Sequence, residues 1–233
     1  MSIVHSIAQG IGEMGIVTPE AVPERLAAYV ALLARWNRVY NLTAERSPEA
    51  IVVRHILDSL AILPWLQGAR VLDVGSGAGL PGIPLAVARP QMAFYLLDSN
   101  GKRTRFMTQA VAELGINNAN VVHCRVEDYQ PVVNFDSIIT RAFASLSVLV
   151  ASAGRFCGEG GRLLAMKGKY PAAELADLPS DYAVLGIYPL AVPGLDAKRH
   201  LVHLAPARST AAGAKAGVDI DDGGTVKWPI SSR

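Results

Sequence analysis

The sequence predicts an α/β fold: a mostly parallel sheet with an antiparallel C-terminal edge, behind an N-terminal helical extension. Three observations predict it. Short apolar runs alternate with helical stretches between residues 69 and 167, the rhythm of consecutive βαβ units. Two later strand-like runs, 182–192 and 199–204, are separated by Pro193-Gly194-Leu195-Asp196 and can close as a hairpin. The first 65 or so residues show helical spacing and no strand pattern.

The elements follow in order. Leu26, Tyr29 or Val30, Leu33, Trp36 and Tyr40 recur at three- and four-residue steps and predict a helix from Pro23 to about Tyr40. Asn41-Leu42-Thr43 breaks it. Ser47-Pro48-Glu49 reads as an N-cap with proline at the first helical position, opening a helix that runs to about Leu63. Val71, Leu72 and Val74 make a buried parallel strand, and Gly75, Gly77 and Gly79 a tight turn into a helix spanning about Ile83 to Ala88. Phe94–Leu97 is a second strand ending on Asp98. Gly101–Leu114 is an amphipathic helix with a basic start, closed by Gly115 and Asn117-Asn118. Asn120–Cys124 and Phe135–Thr140 are strands, Leu146–Phe156 a helix, and Arg162–Met166 a strand after the turn Gly158-Glu159-Gly160-Gly161. A short helix, Ala172–Leu178, precedes the hairpin. The chain thus divides into a helical extension over 1–66, the sheet domain over 67–207, and an Ala-, Gly- and Ser-rich tail over 208–233 that reads as flexible.

Composition bounds the function. With 233 residues, 51% hydrophobic and 18% charged, the chain can bury a substantial core. No apolar run approaches the roughly 18 residues needed to span a bilayer, and the N-terminus lacks the basic-then-apolar pattern of a signal peptide. Cys124 and Cys157 are far apart and form no C-x-x-C, so they read as small buried residues rather than a metal site or disulfide. A net charge of +2 is too small to argue for nucleic acid alone.

The chemistry centres on the glycine turn. Gly77-Ala78-Gly79-Leu80-Pro81-Gly82 matches G-x-G-x-x-G, with Asp98 at the end of the next strand. A dinucleotide fits poorly, because Asp73 sits just before the turn where a pyrophosphate would meet a negative charge, and Pro81 lies inside the window. A cationic, phosphate-free cofactor fits better. S-adenosylmethionine has an ammonium and a sulfonium that Asp73 can balance, and a ribose diol that suits the Asp98 carboxylate. Asp73, Asp98, Glu127 and Arg141 fall at four successive strand ends, where open α/β sheets bind ligands. Val126-Glu127 either flanks an adenine, with Val126 packing on it, or is a turn acid beside an apolar neighbour. Arg141 either touches cofactor and acceptor or pairs with Asp73, Asp98 or Glu127. Lys102, Arg103, Arg105, Arg125, Lys167, Lys169, Lys198, Arg199 and His200, with Arg35 and Arg38, form a candidate RNA face if they share one side.

Seven segments together are similar to one family. They are Trp36-Asn37-x-x-Tyr40-Asn41-Leu42-Thr43, Arg54–Leu60, Asp73–Leu85, Leu97-Asp98-Ser99-x-x-Lys102-Arg103, Arg141–Ala144, Lys167-Gly168 and Arg199–Val202. Across about residues 20–205 the chain resembles the bacterial 16S rRNA guanine-N7 methyltransferases, also called glucose-inhibited division protein B. The resemblance implies a Rossmann-like class I methyltransferase sheet and a cytoplasmic, metal-independent, monomeric enzyme. It implies methyl transfer from S-adenosylmethionine to N7 of a specific guanosine in 16S rRNA, free or within a 30S particle. It implies cofactor contacts at Gly75, Leu80, Val126, Glu127 and Arg141, with Gly77 and Asp98 as further candidates. Arg141 is the expected catalytic residue. Lys167, Arg199 and His200 are expected RNA contacts, and Asn41, Arg54 and His55 an acceptor wall. N7 carries a lone pair and no proton, so alignment and water exclusion replace a general base. The rivals are an NAD-dependent oxidoreductase and a non-enzymatic RNA-binding factor that keeps the pocket.

Overall fold

In the computed structural model, which describes residues 1–207, the helical extension starts earlier than the sequence spacing suggests. Helix α1 (Ile3–Glu13) is capped by Ser2, whose hydroxyl accepts from the His5 N–H at 3.2 Å. Gly10 and Gly12 mask its Ile3, Ile7, Ile11 stripe, and a Cβ at Gly10 would lie 2.5 Å from Leu57. The glycine is there for close helix packing. Helix α2 (Val22–Tyr40) is where the spacing puts it and ends on Asn41 in the left-handed region, φ 48°.

The next stretch differs from expectation. Ser47 caps α3 (Pro48–Ile51) as predicted, accepting from the Ala50 N–H. The chain then passes through a π-helix, Val52–Leu57, before the short α4 (Asp58–Leu60). The single regular helix expected to Leu63 is therefore three pieces, and apolar spacing cannot reveal the one-residue offset of a π-turn.

The remaining elements are β1 (Arg70–Val74), α5 (Gly82–Ala88), β2 (Ala93–Asp98), α6 (Gly101–Glu113), β3 (Ala119–His123), β4 (Phe135–Arg141), α7 (Leu146–Ala153), β5 (Cys157–Lys167), α8 (Ala172–Ala176), β6 (Tyr182–Pro189) and β7 (His200–Pro206). They form one sheet in the order β3-β2-β1-β4-β5-β7-β6. The first five in that row run parallel, and β7 is antiparallel to both β5 and β6, which is the predicted parallel sheet with a hairpin edge. Strand β5 begins at Cys157 rather than Arg162, because the glycines expected as a turn are absorbed in a register shift opposite Phe135–Ser137. The expected tail lies outside the described residues.

Side chains alternate across the sheet, and both faces are covered. Val71 joins a cluster with the extension, α5 and α6, while Leu72 and Val74 join one with α7. Ile7, Leu26, Leu33 and Ile56 share the first cluster with Leu164, Met166 and Leu201. The extension therefore packs against α5 and α6 and shares one core with the sheet. β1 and β4 lie side by side while their successors run outward in opposite directions, so the switch point opens above their carboxyl ends.

Candidate functional site

The glycine turn is built from the main chain. The Gly75 and Ser76 N–H groups donate to the Leu97 carbonyl at 2.8 and 3.0 Å, so the turn leans over β2. Gly77 adopts φ 61°, and nothing but the Gly75 carbonyl at 4.0 Å would meet a Cβ there, so its need is conformational. Gly82 is the opposite case. A Cβ would lie 2.3 Å from Leu96 and 2.6 Å from Asp73, so its need is space.

Asp73 has no solvent exposure. Its Oδ2 accepts from the Gly82 N–H at 2.9 Å, while its Oδ1 has no hydrogen-bond partner among the described residues. Burial pushes its carboxyl up to about 7, against the pull of the Gly82 N–H, the nearby Ser76 hydroxyl and Arg141. Asp73 therefore anchors the start of α5 from beneath the turn and does not line the cavity above it. From there its charge can balance a bound cation only from beneath the turn.

The cavity, about 320 Å³, sits over the ends of β1, β2 and β4 and the segment after β3. Gly75, Asp98, Val126 and Glu127 all line it, as do Arg103, Cys124, Ala142 and Phe143. Asp98 is 5% exposed. Its two oxygens accept from the Gly77 and Asn100 N–H groups, each at 2.8 Å, and Arg103 lies 3.6 Å away. A carboxylate has about four lone-pair sites, so capacity remains for a ligand diol. Asn100 in turn caps α6, accepting from the Lys102 and Arg103 N–H groups. On the far wall, Arg155 donates to the Val126 and Glu127 carbonyls at 2.9 and 2.7 Å and lies 4.6 Å over the Phe156 ring. Arg155 carries no sequence signal, since the residues it holds are 28 or 29 positions away.

A second cavity, about 420 Å³, adjoins the first. Ala142 lines both, in the left-handed region at φ 54°. The second cavity is lined by Arg54, His55 and Asp58 of the extension and by Arg141, Lys167 and Arg199 at the sheet edge, with Glu45. Sheet register brings the last three together, because Arg141 sits beside Met166 and Lys167 opposite His200. Arg141 pairs with Asp58 at 3.1 Å, a partner the sequence reading did not consider, and Arg199 donates to the other Asp58 oxygen at 2.9 Å. Lys167 donates to the Ala144 carbonyl and to Glu174, which itself accepts from the Leu146 N–H.

His55 bonds the Thr43 hydroxyl through Nε2 and the Arg54 carbonyl through Nδ1. A carbonyl only accepts, so Nδ1 carries the proton and Nε2 accepts. Burial, aided by Arg141, lowers the His55 pKa to about 4, so the ring is neutral. Asn37 fixes the adjoining loop, donating to the Glu45 carbonyl and accepting from the Thr43 N–H, both at 2.9 Å. Tyr29, one helical face away, is fully buried and donates to the Ala78 carbonyl of the glycine turn at 2.5 Å.

Other expected residues fall elsewhere. The Gly77 N–H faces Asp98, and Leu80 packs in the core beneath the turn. His200 lines neither cavity and meets Tyr170 edge-on at 5.9 Å. Asn41 ends α2 and lines neither cavity. Arg35 pairs with Glu113 on α6. Both cysteines are half-buried rather than buried, with Cys124 against the first cavity. Among the described residues no group of three or more His, Cys, Asp or Glu could hold a metal ion, and no helix is long and apolar enough to cross a membrane.

The family model described as rRNA small subunit methyltransferase G matches residues 23–202. The protein of that name from Alkalilimnicola ehrlichii is 48% identical over 200 residues, covering 86% of this chain and 91% of its own. The one from Pseudomonas syringae pv. tomato is 50% identical over 200 residues, covering 86% and 95%. Among solved structures, magnesium protoporphyrin IX methyltransferase from Synechocystis PCC 6803 with bound S-adenosylmethionine superposes with a TM-score of 0.56 at 13% identity, covering 77% of this chain and 97% of that one. At that identity the likeness shows the fold alone.

Proposed function

The chain belongs to the rRNA small subunit methyltransferase G family, and from that premise we infer that its two adjoining cavities hold cofactor and acceptor. The protein is an S-adenosylmethionine-dependent rRNA methyltransferase. In our reading the methyl goes to N7 of a specific guanosine in 16S rRNA.

The fit of the first cavity to S-adenosylmethionine rests on Asp98. Its carboxylate is nearly buried, faces the cavity and keeps lone pairs free for a ribose diol. Gly75, Gly77 and Leu80 shape the turn beside it, while Val126 and Glu127 offer a wall for a base. When bound, the cofactor supplies an electrophilic methyl on a sulfonium. The chain's part is to hold the acceptor in line and keep water away. No group need remove a proton, because N7 attacks through its lone pair. A neutral His55 and an Asp58 whose two oxygens each face a guanidinium suit a cavity that positions rather than deprotonates.

The lining of the second cavity carries four cations, Arg54, Arg141, Lys167 and Arg199, against the carboxylates Glu45 and Asp58. That surplus suits a phosphodiester, and a guanine must leave its stack to enter. Arg141 is the proposed catalytic contact, with Lys167, Arg199 and, more peripherally, His200 as RNA contacts. Residues 1–66 act as the acceptor-side wall of the methyltransferase domain over 67–207. The same reading makes the protein a metal-independent monomer of the cytoplasm, where ribosomal RNA is assembled.

The single observation that carries the assignment is the meeting of the two cavities at Ala142. Its test is a map of N7-methylguanosine in 16S rRNA from cells with and without the protein. Loss at one position is expected. An unchanged map refutes it. Tritiated methyl transfer to naked 16S rRNA and to 30S particles from the deletion strain identifies the substrate form.

A further inference from the structure

Asp58 has no assigned part in the reaction, yet it is where the extension grips the sheet. Its side chain is 2% exposed, and each oxygen holds a different guanidinium, Arg141 Nη1 at 3.1 Å and Arg199 Nε at 2.9 Å. Those arginines come from separate strand ends, 83 and 141 residues away in sequence. The π-helix that ends just before Asp58 also supplies the Arg54 carbonyl, which accepts from Arg141 Nη1 at 3.3 Å and from His55 Nδ1 at 2.8 Å. Arg141 is thereby held at one nitrogen by two acceptors. Its Nε and Nη2, and Nη2 of Arg199, make no hydrogen bond among the described residues and belong to a cavity lining.

Buried ion pairs are weak sources of stability, because desolvation offsets their attraction. Their clearer effect is geometric, since a carboxylate orients the planar guanidinium fork. π-Helical turns recur where a chain must re-aim side chains at a functional site.

We propose that Asp58 is a positioning residue for methyl transfer: its buried carboxylate, at the end of the π-helix, fixes Arg141 and Arg199 so that their remaining N–H groups meet the phosphodiester beside the target guanosine. The proposal rests on the second cavity being the acceptor site. Asp58, nearly buried at the cavity wall, acts through the two arginines.

The test uses the full chain, S-adenosylmethionine, and 30S particles or 16S rRNA lacking the modification. Misplacing an aligned group by about 1 Å costs about 100-fold, so Asp58→Asn should lower kcat about 100-fold. S-adenosylmethionine affinity and RNA KM should stay within about fivefold, because the cofactor cavity is untouched and the cations remain. Arg199→Lys keeps the charge and loses the fork, and should lower kcat about tenfold. Both changes break one link, so the double variant should fall no more than about threefold below Asp58→Asn. A kcat for Asp58→Asn within about threefold of wild type, or a double loss equal to the product of the single losses, overturns the proposal. So does an equal loss of cofactor affinity, which marks a general structural effect. If Asp58→Asn does not fold, Arg199→Lys and Arg141→Lys decide, and unchanged kcat in both overturns it. A wild-type protein that methylates no rRNA would instead refute the functional reading, and the proposal with it.

Discussion

Replacing Asp98 with alanine is the most direct probe of the cofactor cavity. In the free protein the carboxylate holds two N–H groups at 2.8 Å, those of Gly77 and Asn100. Hydrogen bonds to charged groups contribute about 1.5–3 kcal/mol each, less where water can take over, as at the half-exposed Gly77. The variant should therefore lose about 2–4 kcal/mol of stability. The expected effect on the cofactor is of similar size, because a ribose diol loses two charged acceptors. About 3–4 kcal/mol corresponds to a Kd raised about 100- to 1,000-fold. Arg103, 3.6 Å from Asp98, is left beside the cavity without its counter-charge, which also disfavours a cationic ligand. Calorimetric titration with S-adenosylmethionine at fixed ionic strength measures this, with thermal unfolding as the control for folding. Asp98→Asn, which keeps the shape, should fall between. A folded Asp98→Ala protein whose Kd stays within about threefold of wild type would refute the ribose assignment.

Two further outcomes follow from the turn and from His55 in the second cavity. Gly82→Ala should cost about 3 kcal/mol or more, because its Cβ meets Leu96 at 2.3 Å and Asp73 at 2.6 Å, while Gly77→Ala should cost only the about 1–2 kcal/mol of a left-handed φ; urea titration separates them, and equal costs would contradict the geometry. His55 makes stability depend on pH. Its folded pKa of about 4 lies below the ordinary 6.5, so the stabilisation is complete above pH 6.5 and is lost as pH falls through about 4. At 1.36 kcal/mol per pH unit over that interval the loss is at most about 3 kcal/mol. His203, also lowered to about 4 by burial, adds to the decline with the same sign. His55→Gln should therefore shrink the difference in urea stability between pH 7 and pH 4.5 without abolishing it, and an unchanged difference would remove His55 from the account.

The residues that were legible in the sequence are those whose reason is local. Strand runs, the glycine turn, the Ser47-Pro48 cap and Asp98 at a strand end each follow from a few neighbouring positions, and the structure places them accordingly. α1 was hidden because Gly10 and Gly12 look like breakers until Leu57 is seen packed against Gly10. The π-helix was hidden because apolar spacing does not register one extra residue per turn. Asp58 and Arg155 were hidden for another reason: each works on partners far along the chain, and a single sequence does not show which distant segments meet. Asp73 was visible as a charge at a strand end, but its partner, the Gly82 main chain nine residues on, was not.

Helix α2 touches both halves of the site. Tyr29 bonds the glycine turn at Ala78, and Asn37 bonds the loop at Thr43 and Glu45. The two anchor residues are eight positions apart, about 12 Å along a rigid rod. That helix acts as a yardstick, setting how far the glycine turn stands from the loop beside the second cavity. The extension is therefore not a detachable module. Grafting it onto another methyltransferase sheet would carry over the contacts but not the spacing, unless both anchors found their carbonyls at the same separation.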